Sequence, residues 1–438
     1  MDMLAYWGRA FAALWTSPFY YLSILFVFWQ LRKQIAMERR LFSVRLHSWQ
    51  SELWRIVVWG AAAGAASTVV FAFIGAVLSP AVLLMLWIIA LLLSVIRVRF
   101  LCFAYAAGVL GILQAVAYLA ADVSMPGGLV LLREELLQVH MPSVLAFVAL
   151  LHLAEAGLAA RSGGRLATPL FYEGKRGKMV GGFHLQGFWP VPMLMLVPLD
   201  AAGGGLSLPW QPLLGGSLWE GGWTVLAFPV VIGFNAMTTR QLPASAARRN
   251  GRRLALYGLA CAALAAVSAL APGSAVVAAL AAVCCAGLHE LVHAAGRMDE
   301  KRGSPYFVHD DRGLKVLAVL PGSPAAALII EPGEIVHKVN GQRVSGKADL
   351  HAALRLNPAF TKLEVLNRDG HSRFLQRALF ANEHHQLGLI LCPDEEAFYY
   401  AESRGGGLFS FLRPRRAGGA GAAGAGASGS RPDTTVGM

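Results

Sequence analysis

Long runs of apolar residues, separated by short polar or basic clusters, occupy most of the chain up to residue 293. With about 20 residues needed per crossing, candidate spans fall at 12–30, 56–78, 81–97, 100–121, 142–160, 188–201, 222–238, 254–272 and 274–293. The pattern predicts a polytopic α-helical membrane domain of about eight or nine spans, filling residues 1–296. The run at 188–201 is short and carries Pro190, Pro192 and Pro198, so it reads as a broken helix or a re-entrant element.

From 304 to 392 the pattern changes to short alternating stretches punctuated by turn residues, enough for one small α+β, barrel-like domain. Residues 314–320 read as a strand, and Pro321-Gly322 turns it into a short helix that Ser323 caps, with Pro324 at the first helical position. Residues 335–339 form the next strand, and Asn340-Gly341 supplies the positive φ angles of a two-residue hairpin. Helical spacing of Leu350, Ala353 and Leu354 marks 347–356, which stops at Asn357-Pro358. A last hairpin joins 361–366 to 372–379. Residues 404–438, Gly/Ala-rich from 417, cannot build a core and are expected to be disordered.

Composition agrees with the pattern. The 438 residues are 56% hydrophobic and only 15% charged, which is too apolar for a soluble protein of this size. The first run is followed by Leu31-Arg32-Lys33 rather than a small-residue cleavage site, so it reads as an anchor. A formal charge of +12 raises nucleic acid as a partner, but the basic residues sit in clusters between apolar runs. That is the positive-inside arrangement, and no nucleic-acid partner is expected. The clusters Arg32/Lys33/Arg39/Arg40/Arg45/Arg55, Arg97/Arg99, Arg161/Arg165/Lys175/Arg176/Lys178 and Arg240/Arg248/Arg249/Arg252/Arg253 are assigned to the cytoplasm, as is everything after Gly296. The N-terminus is then outside if all nine runs cross. The five cysteines, four of them in apolar runs, form neither a disulfide frame nor a cysteine-rich zinc knuckle.

Polar residues inside apolar runs are costly and need an account. His152 and Glu155 lie three apart on one helical face and are expected to pair with each other, and Asn235 to bond a neighbouring helix. Gly60 and Gly64, like Gly108 and Gly111, offer small surfaces for close packing within the chain. Residues 33–55 read either as a stretch lying on an anionic leaflet or as a basic loop.

The last run ends in His289-Glu290-Leu291-Val292-His293, the zinc-metalloprotease signature. On a helix the two histidines fall one turn apart on one face, and Glu290 can activate a bound water. Zinc also needs a third protein ligand and an open position. A site-2-type intramembrane protease supplies an acidic residue on a span after its peptide-binding domain, and no apolar run follows 304–392. Leu199-Asp200-Ala201 lies upstream, at the predicted opposite face. No enzyme, catalytic residue, metal or cofactor is therefore expected. The alternative is a zinc-dependent intramembrane protease with His289 and His293 as ligands and Glu290 as base.

Gly313-Leu314-Lys315-Val316, Pro321-Gly322-Ser323-Pro324-Ala325, Gly333-Glu334-Ile335 and Val339-Asn340-Gly341 together resemble a bacterial-type PDZ domain. The resemblance implies a groove between the strand starting at Leu314 and the helix bearing Leu350, Ala353 and Leu354. There an extended peptide adds a strand along Leu314, Lys315 and Val316, and a terminal carboxylate meets backbone N–H groups near Arg312, Gly313 and Leu314.

With the span plan, the stretch 181–192 (Gly-Gly-Phe-His-Leu-Gln-Gly-Phe-Trp-Pro-Val-Pro) and Glu383-His384-His385-Gln386-Leu387-Gly388, residues 1–400 resemble the MinJ family of polytopic division-site determinants of Gram-positive spore formers. That resemblance implies a non-enzymatic adaptor of the cell membrane, enriched at septum and poles. It would bridge a DivIVA-type scaffold to a MinD-type ATPase, with its PDZ domain in the cytoplasm. A PDZ adaptor in envelope stress or secretion is the remaining alternative.

Overall fold

Helix ends fall where the sequence places its breaks. The computed structural model describes residues 3–174, 177–198, 210–214, 223–357, 359–378 and 387–393. Helices α1 (Met3–Thr16) and α2 (Pro18–Phe42) form a pair bent by 48° across Ser17, where Pro18 starts the second helix. They are followed by α3 (Trp49–Ile74), α4 (Pro80–Ile96), a 3₁₀ turn (Val98–Leu101), α5 (Phe103–Leu119), α6 (Gly127–Leu137) and α7 (Met141–Ser162). Ser79 caps α4 by accepting from the Val82 N–H, with Pro80 next to it, so the Ser79-Pro80 break is a helix start. After a sheet come α8 (Pro243–Leu270) and α9 (Ala275–Arg302), the latter capped by Ser274.

Among the described residues, α3, α7, α8 and α9 are long and apolar enough to cross a membrane. The bent α1/α2 pair makes a fifth span, and the shorter apolar helices α4 and α5 bring the range to four to seven. The expected eight or nine is therefore too many. Helix α7 is the hub, with residues from Met141 through His152 all buried. A helix apolar on every side belongs in the middle of a bundle. Around it, Phe19, Leu22 and Leu25 of α2, Leu84 and Leu92 of α4, and Leu280 and Leu291 of α9 present large apolar surface outward, as lipid-facing helices do.

In the excess spans at 188–201 and 222–238, the described residues 188–198 and 223–238 are strand. Strand β1 (Ala167–Glu173), β2 (Met179–Pro198) and β3 (Trp223–Thr238) form an antiparallel sheet in the order β1-β2-β3. Proline inside a helix removes a hydrogen bond and clashes with the preceding turn, and it pushes the residue before it to extended backbone. Pro190, Pro192 and Pro198 on β2 and Pro229 on β3 thus exclude helix from both runs, and Pro192 sits opposite Pro229. Trp189, Val191, Met193 and Met195 are fully buried, so this non-helical backbone is enclosed by protein.

Past Leu185, β2 has left β1 behind, and its open edge is covered by α3. Gly60 faces the Pro190 carbonyl, Gly64 the Pro192 carbonyl, and Thr68 Oγ1 accepts from the Leu194 N–H at 2.9 Å. Four helical residues advance about 6 Å and two strand residues about 6.6 Å, so helix and strand stay in step over three contacts. The edge facing α3 is where Pro190 and Pro192 lack an N–H, so their missing donors leave the ladder to β3 intact. Gly108 and Gly111 of α5 likewise face Ala286 and Ala282 of α9, and both small surfaces serve packing within the chain. Asn235 lies on β3 and bonds His184 across the sheet at 2.9 Å, rather than a helix.

Residues 33–42 continue α2 as helix, which ends at Ser43 in the left-handed region. The fully buried Glu38 then receives the Leu46 N–H at 2.9 Å, the His47 N–H at 3.3 Å and His47 Nδ1 at 2.6 Å. His47 Nε2 lies 2.7 Å from the Arg165 carbonyl, so both ring nitrogens face acceptors and both carry protons. Burial pulls the His47 pKa down, but the Glu38 hydrogen bond and charge outweigh it, and the net shift is upward. A histidine pKa raised on folding stabilises fully below the unfolded value of about 6.5, and the contribution fades as pH rises through the folded value. The stability difference between the wild type and His47→Gln is expected to be largest below that value and to shrink toward alkaline pH. Thermal unfolding of the detergent-solubilised pair across pH checks this, and a gap independent of pH contradicts it.

The C-terminal region forms a second antiparallel sheet. It contains β4 (Leu314–Val319), α10 (Pro324–Ala327), β5 (Ile335–Val339), β6 (Gln342–Arg343), α11 (Lys347–Arg355), β7 (Phe360–Leu366), β8 (Ser372–Ala378) and β9 (Leu389–Leu391). The order is β8-β7-β5-β4-β9, with β6 paired to β5. Ser323 caps α10 through the Ala326 N–H, and Asn340 and Gly341 take φ of 49° and 83° at the β5–β6 turn. Its core joins Leu314, Val316, Val336, Val339, Leu350, Leu354 and Val365.

This sheet is docked on the first. The Gly181 N–H donates to the Phe307 carbonyl at 2.7 Å, Tyr306 donates to Thr239, and Phe307, Leu317, Ile390 and Cys392 join the core of the helical bundle. The Asp299 carboxylate of α9 receives Arg240, Arg249 and Arg253 at 2.8–3.1 Å, which ties α9 to the start of α8. With Arg165 against His47, and Arg99 against Glu290, members of three of the four basic clusters, and His47 from the stretch between Arg45 and Arg55 of the first, gather at the end that carries the second sheet. Lys175, Arg176, Asp200, the stretch 383–386 and the expected tail at 404–438 lie outside the described residues.

Candidate functional site

Two places bear on chemistry: the end of α9, where the histidine motif lies, and the β4/α11 region of the second sheet. On α9 the motif is divided between two environments. His289 is buried and turns toward α5 and α7, whereas Glu290 faces the basic end.

Glu290 Oε1 accepts from Arg99 Nη1 at 3.1 Å and Arg297 Nη2 at 3.3 Å, and Oε2 accepts from the Tyr105 hydroxyl at 2.9 Å. Arg99 comes from the turn before α5, and Tyr105 from its first turn. A carboxylate engaged on both oxygens is a strut between α9 and α5. The geometry therefore lends the protease alternative no support from Glu290.

His289 meets residues that the sequence places far away. Its Nε2 lies 3.6 Å from Cys102 Sγ, across 187 positions, and the same sulfur is 3.2 Å from His152 Nε2. Cys102, His152 and His289 each present one potential ligand atom, all within 4.8 Å of one another. His152 Nδ1 donates to the Val148 carbonyl at 2.8 Å, one turn back on α7. That bond puts the proton on Nδ1 and leaves the Nε2 lone pair aimed at the sulfur. Among the described residues nothing pairs with His289 Nδ1, which is buried. An unmet buried polar group costs about 1–3 kcal/mol, so the hydrogen bonds present do not account for this imidazole.

Rings close the site. Tyr105, Tyr257, His152 and His293 stand edge-on to His289, with centroids 4.8–5.1 Å away. Beyond Tyr257 lie two further buried thiols, Cys261 and Cys285, with their sulfurs 3.4 Å apart. His293 is half-buried and outside the three-residue group. His152 bonds Cys102 and Val148, so the expected pairing with Glu155 is replaced by one across helices. Cys102 was legible only as a cysteine in an apolar run. Its one sequence signal is a place three residues after Arg99, at the same basic end as His289.

The expected peptide groove is altered by the sheet order. Arg312 is exposed and holds Asp310 in a two-point ion pair. This pairing draws the Asp310 carboxyl down to about 2. Gly313 has φ 152° and packs so closely on Val336 that a side chain would meet its carbonyl at 2.3 Å. Leu314, Val316, Leu350, Ala353 and Leu354 are all buried in the sheet's own core. Strand β4, which includes Lys315, pairs with β5 on one edge and β9 on the other. A peptide cannot add a strand where β9 already lies, so the expectation at 314–316 is corrected. Among the described residues, β9 is the end of the sheet on that side.

No family model and no solved structure matches the chain. Among curated proteins it is 26% identical over 267 residues to the probable cell division topological determinants MinJ of Lacticaseibacillus paracasei and Lacticaseibacillus casei (strain BD-II), covering 59% of this chain and 68% of each relative. The matched part spans 62% of the length of a Bacillus relative. Over those 257 residues, 58% of its own length, the chain is similar at 34% identity to the cell division topological determinant MinJ of Bacillus subtilis (strain 168), which bears out the resemblance read from its residues.

Proposed function

We propose that this chain is a membrane-embedded scaffold of division-site selection that recruits division proteins to septum and poles. The observation that carries the reading is the 34% identity to a relative named as a cell division topological determinant. In this reading residues 1–296 hold the protein in the bilayer, and 304–392 are a PDZ domain on the cytoplasmic side. The gathering of basic clusters at the end bearing that sheet supports the orientation. The peptide or C-terminal ligand would then add at β9, the end strand, with its side chains toward α11. By resemblance, the partners are a DivIVA-type scaffold and a MinD-type ATPase, and the protein acts by binding rather than catalysis.

Deletion of the gene in its host is the test. Expected are elongated cells and septa misplaced toward the poles, restored by a fluorescent fusion that collects at septa. Wild-type cell length and septum position after deletion would overturn the reading.

A further inference from the structure

We propose that Cys102, His152 and His289 form a binding site for a borderline Lewis-acid metal ion, foremost Zn(II), which ties α5, α7 and α9 together inside the bundle. The donor set is one thiolate and two imidazoles, which suits zinc and excludes the hard, oxygen-seeking cations. Spacing agrees. With metal–sulfur bonds of about 2.3 Å and metal–nitrogen bonds of about 2.0–2.1 Å, tetrahedral angles set sulfur and nitrogen ligands about 3.6 Å apart. The two sulfur–nitrogen distances here are 3.2 and 3.6 Å.

Two further observations point to a ligand. His152 is held by the Val148 carbonyl in the tautomer and orientation that metal-binding histidines receive from a supporting partner. His289 is 96% buried (4% exposed) and turns its Nε2 toward the sulfur, 3.6 Å away, across the boundary between helices. On binding, the Cys102 thiol loses its proton to bulk water and the two imidazoles coordinate as neutral ligands. The fourth position falls to water or to His293, whose ring lies 4.8 Å from that of His289. The site differs from the protease signature, because its sulfur ligand comes from Cys102 at the N-cap of α5 and Glu290 takes no part.

The test uses full-length protein purified in detergent, stripped with a chelator and titrated with Co(II) and Zn(II). Expected is about one ion per chain, with a thiolate-to-cobalt charge-transfer absorption that is absent in Cys102→Ser. His152→Ala and His289→Ala should weaken binding by more than the roughly 10–100-fold that loss of a supporting partner costs. Cys284→Ser, an exposed cysteine on α9, should bind as the wild type does. No stoichiometric ion in the wild type, or a cobalt adduct without the sulfur band, overturns the proposal. So does full retention in Cys102→Ser, which would assign the ion to His289 and His293. The wild-type spectrum decides even if a variant fails to insert.

Discussion

Replacing Glu38 by alanine is expected to lower the unfolding free energy by about 3–5 kcal/mol, the usual cost of removing one partner of a buried ion pair. Glu38 is fully buried and accepts two backbone N–H groups and one imidazole from the turn between α2 and α3. The Thr168 hydroxyl of β1 stands 3.4 Å away, and Gln34 beside it donates to Thr168 and the Leu166 carbonyl. Alanine leaves the protonated His47 side chain, 12% exposed, without its counter-charge and strands the donors of the turn. Glu38→Gln keeps an acceptor and loses the charge, so a smaller loss of about 1.5–3 kcal/mol is expected. Unfolding in mixed micelles measures both, and the alanine variant should also lose the pH dependence assigned to His47. An alanine variant as stable as the wild type would show that the network carries no net energy.

The second large effect is expected at Gly60 and Gly64. An ideal Cβ on Gly60 would lie 2.2 Å from the Pro190 carbonyl oxygen, and one on Gly64 would lie 2.1 Å from that of Pro192. Both obstacles are backbone, so no rotamer relieves them. Either α3 moves off the strand or the strand leaves its register with β3. Overpacking of this kind costs about 1–3 kcal/mol per site. The double variant Gly60→Ala/Gly64→Ala should lose more than either single one. Gly287→Ala on α9 is the control, because a Cβ there meets nothing within 4 Å. The same mixed-micelle unfolding reads the losses, and a double variant equal to wild type would mean that α3 does not lie against β2. Loss at Gly60/Gly64 with none at Gly287 separates this contact from the general helix preference for alanine.

Local rules made much of the chain legible. Apolar runs are evident from composition, and the helix start at Pro324 follows from capping by Ser323. Asn340-Gly341 forms the expected hairpin turn because few residue pairs tolerate two positive φ angles. These signals reside in neighbouring residues and need no knowledge of the fold.

The pairings were not legible, because a segment apolar on all faces does not say which neighbour it meets. The runs at 188–201 and 222–238 have the composition of spans, and periodicity alone cannot separate a buried strand from a helix. The prolines suggested a broken helix, and only the register opposite Pro229, with α3 along the free edge, makes them strand residues. His152 has an acidic residue one turn away, yet it bonds Cys102 across 50 positions. β4 is flanked by a three-residue strand 70–75 positions downstream (Val319 against Leu389, Val316 against Leu391), which closes the edge expected to bind peptide. The sequence by itself determined a membrane-embedded helical protein with a small C-terminal sheet and the likeness to division determinants. The tertiary structure alone decided the pairing of β2 with β3 under α3, the Glu38–His47 clamp and the Cys102–His152–His289 cluster, because each joins groups whose proximity depends on helices and strands packing together rather than on the chain nearby.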